Sequence, residues 1–161
     1  MEESRPRKAV AQESQDSAKR PESAGSDTPL AGGELLTAIS NGIVGLLREH
    51  YGRGPSRAKT YVLDDLLVCV MRDGFTAIEQ TMMKGGQQER VVELRQDFQV
   101  LMEHSYKEHV ERLTGAKVVA FLSQAHVEPD LTIEMFLMDR SLPGFGAIEI
   151  TDGDAATDGD A

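Results

Sequence analysis

The residues of this chain that could support chemistry are four histidines, one cysteine and a pair of adjacent aspartates. The histidines are scattered, and His104 and His109 are five residues apart, so they do not share one face of a helix. No His-x3-His or Cys-x2-Cys pair occurs, and the sequence therefore predicts no metal site. Cys69 lies in an apolar run, which predicts a buried and inert thiol.

The adjacent carboxylates Asp64 and Asp65 could serve in acid–base catalysis, but they separate two apolar runs and are more typical of a hairpin turn. The sequence contains no Walker loop, no Gly-x-Ser-x-Gly and no Gly-x-Gly-x-x-Gly. We therefore expect a non-catalytic protein without a cofactor.

A basic stretch punctuated by glycine and proline is the best candidate binding site. It runs from Gly52 to Lys59. Cations beside exposed backbone suit an anion or an acidic partner surface. The stretch follows the C-terminal end of a predicted helix, where the dipole disfavours anions, so a solubilising loop is an equal alternative. The candidate anion- or partner-binding residues are Arg53, Gly54, Pro55, Arg57 and Lys59.

Hydrophobic periodicity predicts an α+β domain. Two β-rich hairpins and three helices are expected in the order α-ββ-αα-ββ, which gives a four-stranded, mostly antiparallel sheet with helices packed on one face. The predicted helices are Glu34–Tyr51, Ala77 to about Lys84 and Gln88 to about Leu113, and the predicted strands surround Asp64-Asp65 and then span Lys117–His126 and Leu131–Asp139.

The glycines of the first helix and the apolar stripe of the long helix predict how these helices pack. We interpret Gly42 and Gly45 in the first helix as positions of close approach to a neighbouring element, since each otherwise weakens the helix. The apolar stripe predicted for the long helix consists of Val91, Leu94, Phe98, Leu101, Met102, His109 and Leu113.

Neither face of the first hairpin is polar. One face carries Tyr61, Leu63, Leu66 and Val68, whereas an antiparallel sheet washed by water on one side would alternate. We therefore expect a homodimer formed through the sheet. The alternative is a monomer of three layers in which the first helix crosses to the far side.

Composition divides the chain into a disordered N-terminal tail (1–33), a domain (34–140) and an acidic low-complexity C-terminal tail (141–161). The net charge of -10 argues against nucleic-acid binding. The start lacks the apolar region of a secretory signal, and the longest apolar run, Leu66 to Met71, is far too short to enter and span a membrane. A lone cysteine suits a reducing compartment, so we expect a cytoplasmic protein.

Several motifs together resemble the small bacterial family called MpsC. They are His50-Tyr51-Gly52-Arg53-Gly54-Pro55, Ala58-Lys59-Thr60-Tyr61, Asp64-Asp65 before Leu67-Val68-Cys69-Val70, Thr76 to Glu79, Leu113-Thr114-Gly115 and the strand Val118 to Leu122. The resemblance covers roughly Leu35 to Asp139. It implies a soluble companion of a membrane system for cation or bicarbonate transport, with a membrane transport protein as partner, and it supplies no catalytic residue.

Three functions follow as hypotheses. The first is an accessory or regulatory binding module, which a large apolar surface on the free sheet face would favour. The second is a small-molecule or anion sensor that uses the basic stretch 52–59, which a pocket with convergent polar groups would favour. The third is an enzyme, which a strongly perturbed carboxylate or histidine inside a cleft would favour.

Overall fold

The computed structural model describes residues 30–145, which form three helices and one four-stranded sheet. The predicted α+β class and element order are confirmed, and the two predicted tails lie largely outside the described residues. Leu142, just past the predicted end of the domain, is buried in the core. The elements are α1 (Gly32–Tyr51), β1 (Arg57–Leu63), β2 (Leu66–Arg72), α2 (Ala77–Lys84), α3 (Gln88–Thr114), β3 (Val118–His126) and β4 (Leu131–Met138).

The strands lie in the order β1-β2-β4-β3, and every neighbouring pair is antiparallel. Leu63 pairs with Leu66, so Asp64-Asp65 is the two-residue turn that the sequence predicted. Among the described non-glycine residues of this turn, only Asp64 takes a positive φ, of 59°. An aspartate tolerates that conformation better than most residues.

The core lies between the helices and one face of the sheet. Ile39 and Ile43 of α1 pack there with Leu67, Cys69 and Phe136, all fully buried. Each such side chain contributes about 1.5–3 kcal/mol when it leaves water. The first helix therefore lies on the same side of the sheet as α3, and the three-layer arrangement in which it crosses over is wrong. The predicted burial of Cys69 is confirmed.

The short helix α2 begins at a complete capping box. Thr76 Oγ1 accepts the N–H of Glu79 at 3.2 Å, and the N–H of Thr76 donates to Glu79 Oε2 at 2.6 Å. These two bonds satisfy amide groups that the first turn of a helix leaves free. They also fix the position of Glu79, whose carboxylate is buried against α3.

The predicted apolar stripe of α3 is partly wrong. Leu94 and Leu101 are 52% and 77% exposed. The buried face advances from Val91 in steps of three or four residues and includes polar side chains, which a search for apolar residues alone passes over. Its members are Val91, Arg95, Gln99, Met102, Tyr106 and Val110.

The two glycines of α1 differ in their surroundings. A Cβ at Gly42 would lie 1.8 Å from His109 Cε1, so α1 and α3 approach closely there and the packing interpretation of Gly42 is confirmed. Nothing lies within 4 Å of the corresponding point at Gly45, where the same interpretation is wrong.

The opposite face of the sheet is covered by none of the three helices and is largely apolar, with its charged residues at the end of Arg57 and Arg72. We call it the open face. Leu122 is 54% exposed on it and Tyr61 is 44% exposed. The other strand residues whose side chains point to this face are half-buried or exposed, because only neighbouring side chains of the sheet shield them from water. Its apolar members are Tyr61, Leu63, Leu66, Val68, Val70, Ala120, Leu122, Leu131, Ile133, Met135 and Leu137.

The contrast between the two glycines predicts opposite mutational effects. Gly42→Ala should destabilise the protein by about 1–3 kcal/mol, because the methyl group has no room beside His109. Gly45→Ala should stabilise it by about 0.5–1 kcal/mol, because alanine loses less backbone entropy in a helix. Urea unfolding followed by circular dichroism measures both, and an equal response at the two positions would contradict the close contact.

Candidate functional site

The predicted basic site is divided between two parts of the fold. Arg53, Gly54 and Pro55 lie in the loop that joins α1 to β1. Arg57 and Lys59 are exposed on the edge strand β1, with side chains on the open face, and Lys59 Nζ lies 5.1 Å from the centre of the Tyr61 ring. The five candidate residues therefore form two groups.

Arg53 joins the α1–β1 loop to the segment before α2. Its Nη1 donates to the carbonyl of Phe75 at 3.0 Å and its Nη2 to the carbonyl of Asp73 at 3.3 Å. Within residues 30–145, Arg53 forms no ion pair with a carboxylate. The guanidinium therefore fixes the loop while its positive charge is not neutralised by a neighbouring acid.

Gly54 and Pro55 shape this loop. A Cβ at Gly54 would lie 2.9 Å from Arg48 Cγ and 3.1 Å from Val44 Cγ1, so the loop can approach α1 only because a glycine is present. Pro55 is buried. The structure thus gives Gly54 a packing role and places Pro55 in the wall of an internal recess, described below.

Arg95 is the buried cation of the domain. Its Nε donates to Glu79 Oε1 at 2.6 Å, and its Nη2 donates to Glu79 Oε2 at 2.8 Å and to the carbonyl of Gly74 at 2.8 Å. The guanidinium carbon also lies 4.8 Å from the ring centre of Tyr51 and 4.5 Å from that of Phe75. Two aromatic faces and a bidentate carboxylate together replace the water that the ion loses.

The pair remains ionised in spite of its burial. Burial alone would raise the pKa of Glu79, but the hydrogen bonds and charge of Arg95 and the N–H of Thr76 outweigh it and hold that pKa below its ordinary value. Burial likewise disfavours the charge of Arg95, and Glu79 reverses the effect, so the pKa of Arg95 is raised. The two charges neutralise each other.

A polar recess lies beside this pair, between the sheet and the helices α1 and α3. Its free volume is about 20 Å³. That room suits one ordered water. The recess is lined by Leu47, Tyr51, Arg53, Pro55, Met71, Gly74, Arg95, Phe98, Gln99, Tyr106, Thr132 and Glu134.

Glu134 of β4 is the buried acid of the recess. It is 1% exposed, and its Oε2 has no hydrogen-bond partner among the described residues. Burial raises the pKa of this carboxyl to about 8, and the Ser123 hydroxyl across the β3–β4 pair and the charge of Arg95 only partly offset that effect. At neutral pH Glu134 is therefore protonated.

Two hydroxyl groups of the recess also lack partners in the described part of the chain. They are Tyr51 Oη and Thr132 Oγ1. Burial raises the pKa of Tyr51 to about 12 and that of Cys69 on β2 to about 11. Burial also raises the pKa of Tyr106. These groups stay neutral near pH 7, so Glu134 is the one among them that exchanges a proton there.

Sequence reasoning did not assign a role to these recess residues. It placed Thr132 and Glu134 on the same side of the last strand as Phe136 and Met138. An acid between apolar residues on a buried face is unusual, so this alternation could have identified Glu134 as a candidate. Arg95 was missed because it is polar, although it follows Val91 by one helical turn.

Within residues 30–145, no three His, Cys, Asp or Glu side chains come together in a way that could hold a metal ion. The three helices in that range were also compared with the length and hydropathy of a membrane span, and none of them is long and apolar enough to cross a bilayer.

Comparison with known proteins places the chain in a family. The family model described as Na+-translocating membrane potential-generating system (MpsC) matches residues 31–140. The chain belongs to the MpsC family. The uncharacterized protein YrhF of Bacillus subtilis (strain 168) is 28% identical over 99 residues, which cover 60% of this chain and 81% of that relative. No solved structure matches the chain. The recess and the open face both fall inside the MpsC match.

The ion pair predicts a large and non-additive loss of stability in this MpsC domain. Arg95→Met should cost about 3–5 kcal/mol, because Glu79 is left buried without a counter-charge. Arg90→Met, on the exposed side of the same helix, is the control and should cost less than about 0.5 kcal/mol. Adding Glu79→Gln to Arg95→Met should recover part of the loss in urea unfolding, and strictly additive losses would contradict a coupled pair.

The buried carboxyl of Glu134 predicts a dependence of stability on pH. Between the ordinary pKa of 4.5 and the raised pKa of about 8, the folded MpsC domain keeps a proton that the unfolded chain has released. Its stability therefore declines as the pH rises through that interval. Glu134→Gln lacks this proton exchange, so its melting temperature relative to the natural protein should rise from pH 5 to pH 8. A gap that stays constant across that range would show that Glu134 is not protonated in the fold.

Proposed function

We propose that this MpsC-family chain is a non-catalytic binding module that acts as a homodimer through the open face of its sheet. The single observation that supports the proposal is that face itself, with a continuous set of apolar side chains across all four strands and no helix above it in residues 30–145. Exposed apolar patches of this kind mark interaction sites in soluble proteins.

A second copy is a suitable occupant because the face is self-complementary in its chemistry. Apolar side chains fill its centre, from Tyr61 through Val68 and Met135 to Leu122, which are register partners on successive strands. Two such faces that meet about a two-fold axis bury each other's apolar surface with the same residues. Each large side chain removed from water contributes about 1.5–3 kcal/mol toward the costs of association.

The charges at the two ends of the face favour one direction of the two-fold axis. Arg57 and Arg72 lie at one end of the β1–β2 hairpin, and the turn of Asp64 and Asp65 lies at the other. An axis that runs across the strands in the plane of the interface stacks the hairpins in opposite directions. The arginines of each subunit then face the aspartates of its partner. An axis parallel to the strands through the middle of the sheet would instead place β1 over β3 and β2 over β4, so the arginines would not face those aspartates.

The family description supports a cellular role for such a module. It names a system that translocates Na+ and generates a membrane potential. We propose that this chain is an accessory or regulatory component of a membrane system of that kind, that it works in the cytoplasm, and that it binds a membrane transport protein rather than entering the bilayer. The absence of a membrane-spanning helix from residues 30–145 is compatible with that role.

The lining of the recess supports the non-catalytic part of the proposal. The perturbed carboxyl of Glu134 is a property that catalytic acids share. However, the lining in the described part of the chain offers only the hydroxyls of Tyr51, Tyr106 and Thr132 beside it, and no cysteine, histidine or lysine that would activate a hydroxyl as a nucleophile. The free room of about 20 Å³ is also too small for most substrates.

The dimer is tested by placing a charge at exposed positions of the open face. Tyr61→Glu and Leu122→Glu should each convert a dimer into a monomer in sedimentation velocity at micromolar concentration, because a buried charge opposes association. Leu94→Glu is the matched control, since Leu94 on α3 is 52% exposed, close to the 54% of Leu122, and its replacement should leave the mass unchanged. A natural protein that is monomeric at every concentration would exclude the dimer.

The orientation of the dimer is tested by reversing charges. Arg72→Glu and Asp65→Lys should each weaken the dimer, and the protein that carries both changes should regain affinity, because opposite charges then face each other again across the axis. A double variant weaker than either single variant would exclude this orientation while leaving a sheet-to-sheet dimer of the other orientation as the explanation.

A further inference from the structure

The outer edge of β1 presents unpaired backbone groups. At the two ends of β2, the N–H of Met138 donates to the carbonyl of Asp65, and the N–H of Asp73 donates to the carbonyl of Asp130. The odd-numbered residues of β2 therefore bond to β4, and its even-numbered residues bond to the odd-numbered residues of β1. The even-numbered residues of β1 direct their N–H and C=O groups away from the sheet, where none of residues 30–145 bonds to them. They are Ala58, Thr60 and Val62.

The two edges of the sheet differ in their regularity. The pairing of β3 is interrupted between Val118 and Ala120, and such an irregularity makes an edge a poor template for another strand. The edge strand β1 pairs with β2 without interruption from Arg57 to Leu63. A regular edge of this length suits the addition of a further strand.

A groove lies along this edge, between β1 and the first half of α1. Its free volume is about 310 Å³. Leu36 and Thr37 of α1 line one side, and Ala58 and Thr60 of β1 line the other. The buried hydroxyl of Thr60 is already bonded to that of Ser40 at 2.7 Å, so it needs no polar ligand. The groove therefore combines backbone hydrogen-bonding groups at the edge with room for apolar side chains below α1.

The described part of the chain ends close to this groove. After β4 the chain passes the turn at the end of β1, where the N–H of Leu142 donates to the carbonyl of Asp64 at 3.2 Å. It then reaches the start of α1, since a Cβ on Gly144 would lie 3.9 Å from the nitrogen of Gly32. The next residue of α1, Gly33, lines the groove. A chain that continues from this end along the edge runs antiparallel to β1.

The sequence that follows has the alternation of a strand. Ile148 and Ile150 alternate with Glu149 and Thr151, and three of these four residues are β-branched. They lie outside the described residues, and only two residues separate them from Phe145, which packs against the core. The segment has the two apolar side chains that the groove can accommodate.

The charges of the groove and of this segment are complementary. Among the residues that line the groove, Lys59 alone is charged, and it forms no ion pair with a carboxylate of residues 30–145. From Glu149 onward the sequence contains five acids and no base. Opposite charges that face each other across a strand pair are stabilising, and a basic segment at the same place would be repelled.

We propose that residues 147–151 add to the free edge of β1 as a fifth, antiparallel strand of the same subunit. The two isoleucines enter the groove below α1, and the glutamate lies on the other side of the sheet beside Lys59. Because the segment is tethered a few residues away, its binding is intramolecular and needs no high protein concentration. The site is independent of the proposed dimer, which uses the open face and not this edge.

One register satisfies the apolar contacts and the charge pair together. In an antiparallel pair, residues that lie directly opposite each other point to the same side of the sheet. The isoleucines therefore lie opposite even-numbered residues of β1, and the glutamate lies opposite an odd-numbered one. The facing pairs are Ile148 with Thr60, Glu149 with Lys59 and Ile150 with Ala58.

The experiment is amide hydrogen exchange of the full chain, followed by NMR. The amides of the even-numbered residues of β1 should exchange at least about tenfold faster in Ile148→Asp/Ile150→Asp than in the natural protein, because the added strand no longer protects them. The amide of Tyr61 is bonded to β2 and should exchange equally in both. Ala155→Asp/Ala156→Asp adds the same two charges beyond the segment and should change no rate more than about twofold.

The register is tested by pairs of cysteines. Glu149 and Lys59 form a non-hydrogen-bonded pair in this register, in which the Cα atoms are about 4.5 Å apart and within reach of a disulfide. In a glutathione buffer, Lys59→Cys/Glu149→Cys should form its intramolecular disulfide at least about tenfold more favourably than Lys59→Cys/Asp152→Cys, whose second cysteine would point to the groove side. The natural Cys69 is buried and does not compete.

Each other result overturns the proposal. Equally fast exchange in the natural protein and in Ile148→Asp/Ile150→Asp would show that the edge of β1 is open, and equally slow exchange would show that the fold shields it without the segment. The same acceleration in Ala155→Asp/Ala156→Asp would show a general effect of charge. Protection that appears only at concentrations where the protein dimerises would assign the edge to a second copy. Equal disulfide formation in the two cysteine pairs would exclude an ordered strand in this register.

Discussion

The ion pair between Arg95 and Glu79 determines how the helical layer is built. It joins α2 to α3, and through the carbonyl of Gly74 and the ring of Phe75 it also fixes the segment that leads out of the sheet. A buried pair of this kind contributes little net stability compared with apolar side chains of the same volume. Removal of one partner is nevertheless strongly destabilising, because it leaves the other partner as an unpaired buried charge. The packing of three segments thus depends on one guanidinium.

A polar interior follows from the position of that guanidinium. Arg95 occupies a place on the buried face of α3 that a leucine could have filled, and Gln99 and Tyr106 continue the same face. The strand below presents Thr132 and Glu134 toward them, while Ile133 and Met135 point to the opposite side. One strand therefore supplies a polar recess on its inner side and an apolar surface on its outer side.

The elements of the fold could be predicted from the sequence because their signals are local. The capping box at Thr76 fixed the start of α2, and the aspartate pair fixed the first hairpin. The residues of the recess could not be predicted in the same way, because they come from α1, α3 and β4 and are brought together only by the tertiary fold. The basic stretch is divided in the fold for a related reason: its charges are adjacent in sequence, but the start of β1 at Arg57 separates them.

The strand order has a consequence for how the chain acquires its structure. Each hairpin pairs strands that are close in sequence, whereas the central β2–β4 seam joins strands separated by the whole of α2 and α3. Local pairings form quickly and long-range ones wait for loop closure. Until β4 arrives, β2 presents an unpaired edge that is apolar on both sides, which is a template for wrong strand pairing. The interval before the seam closes is thus the stage at which this fold is most exposed to aggregation.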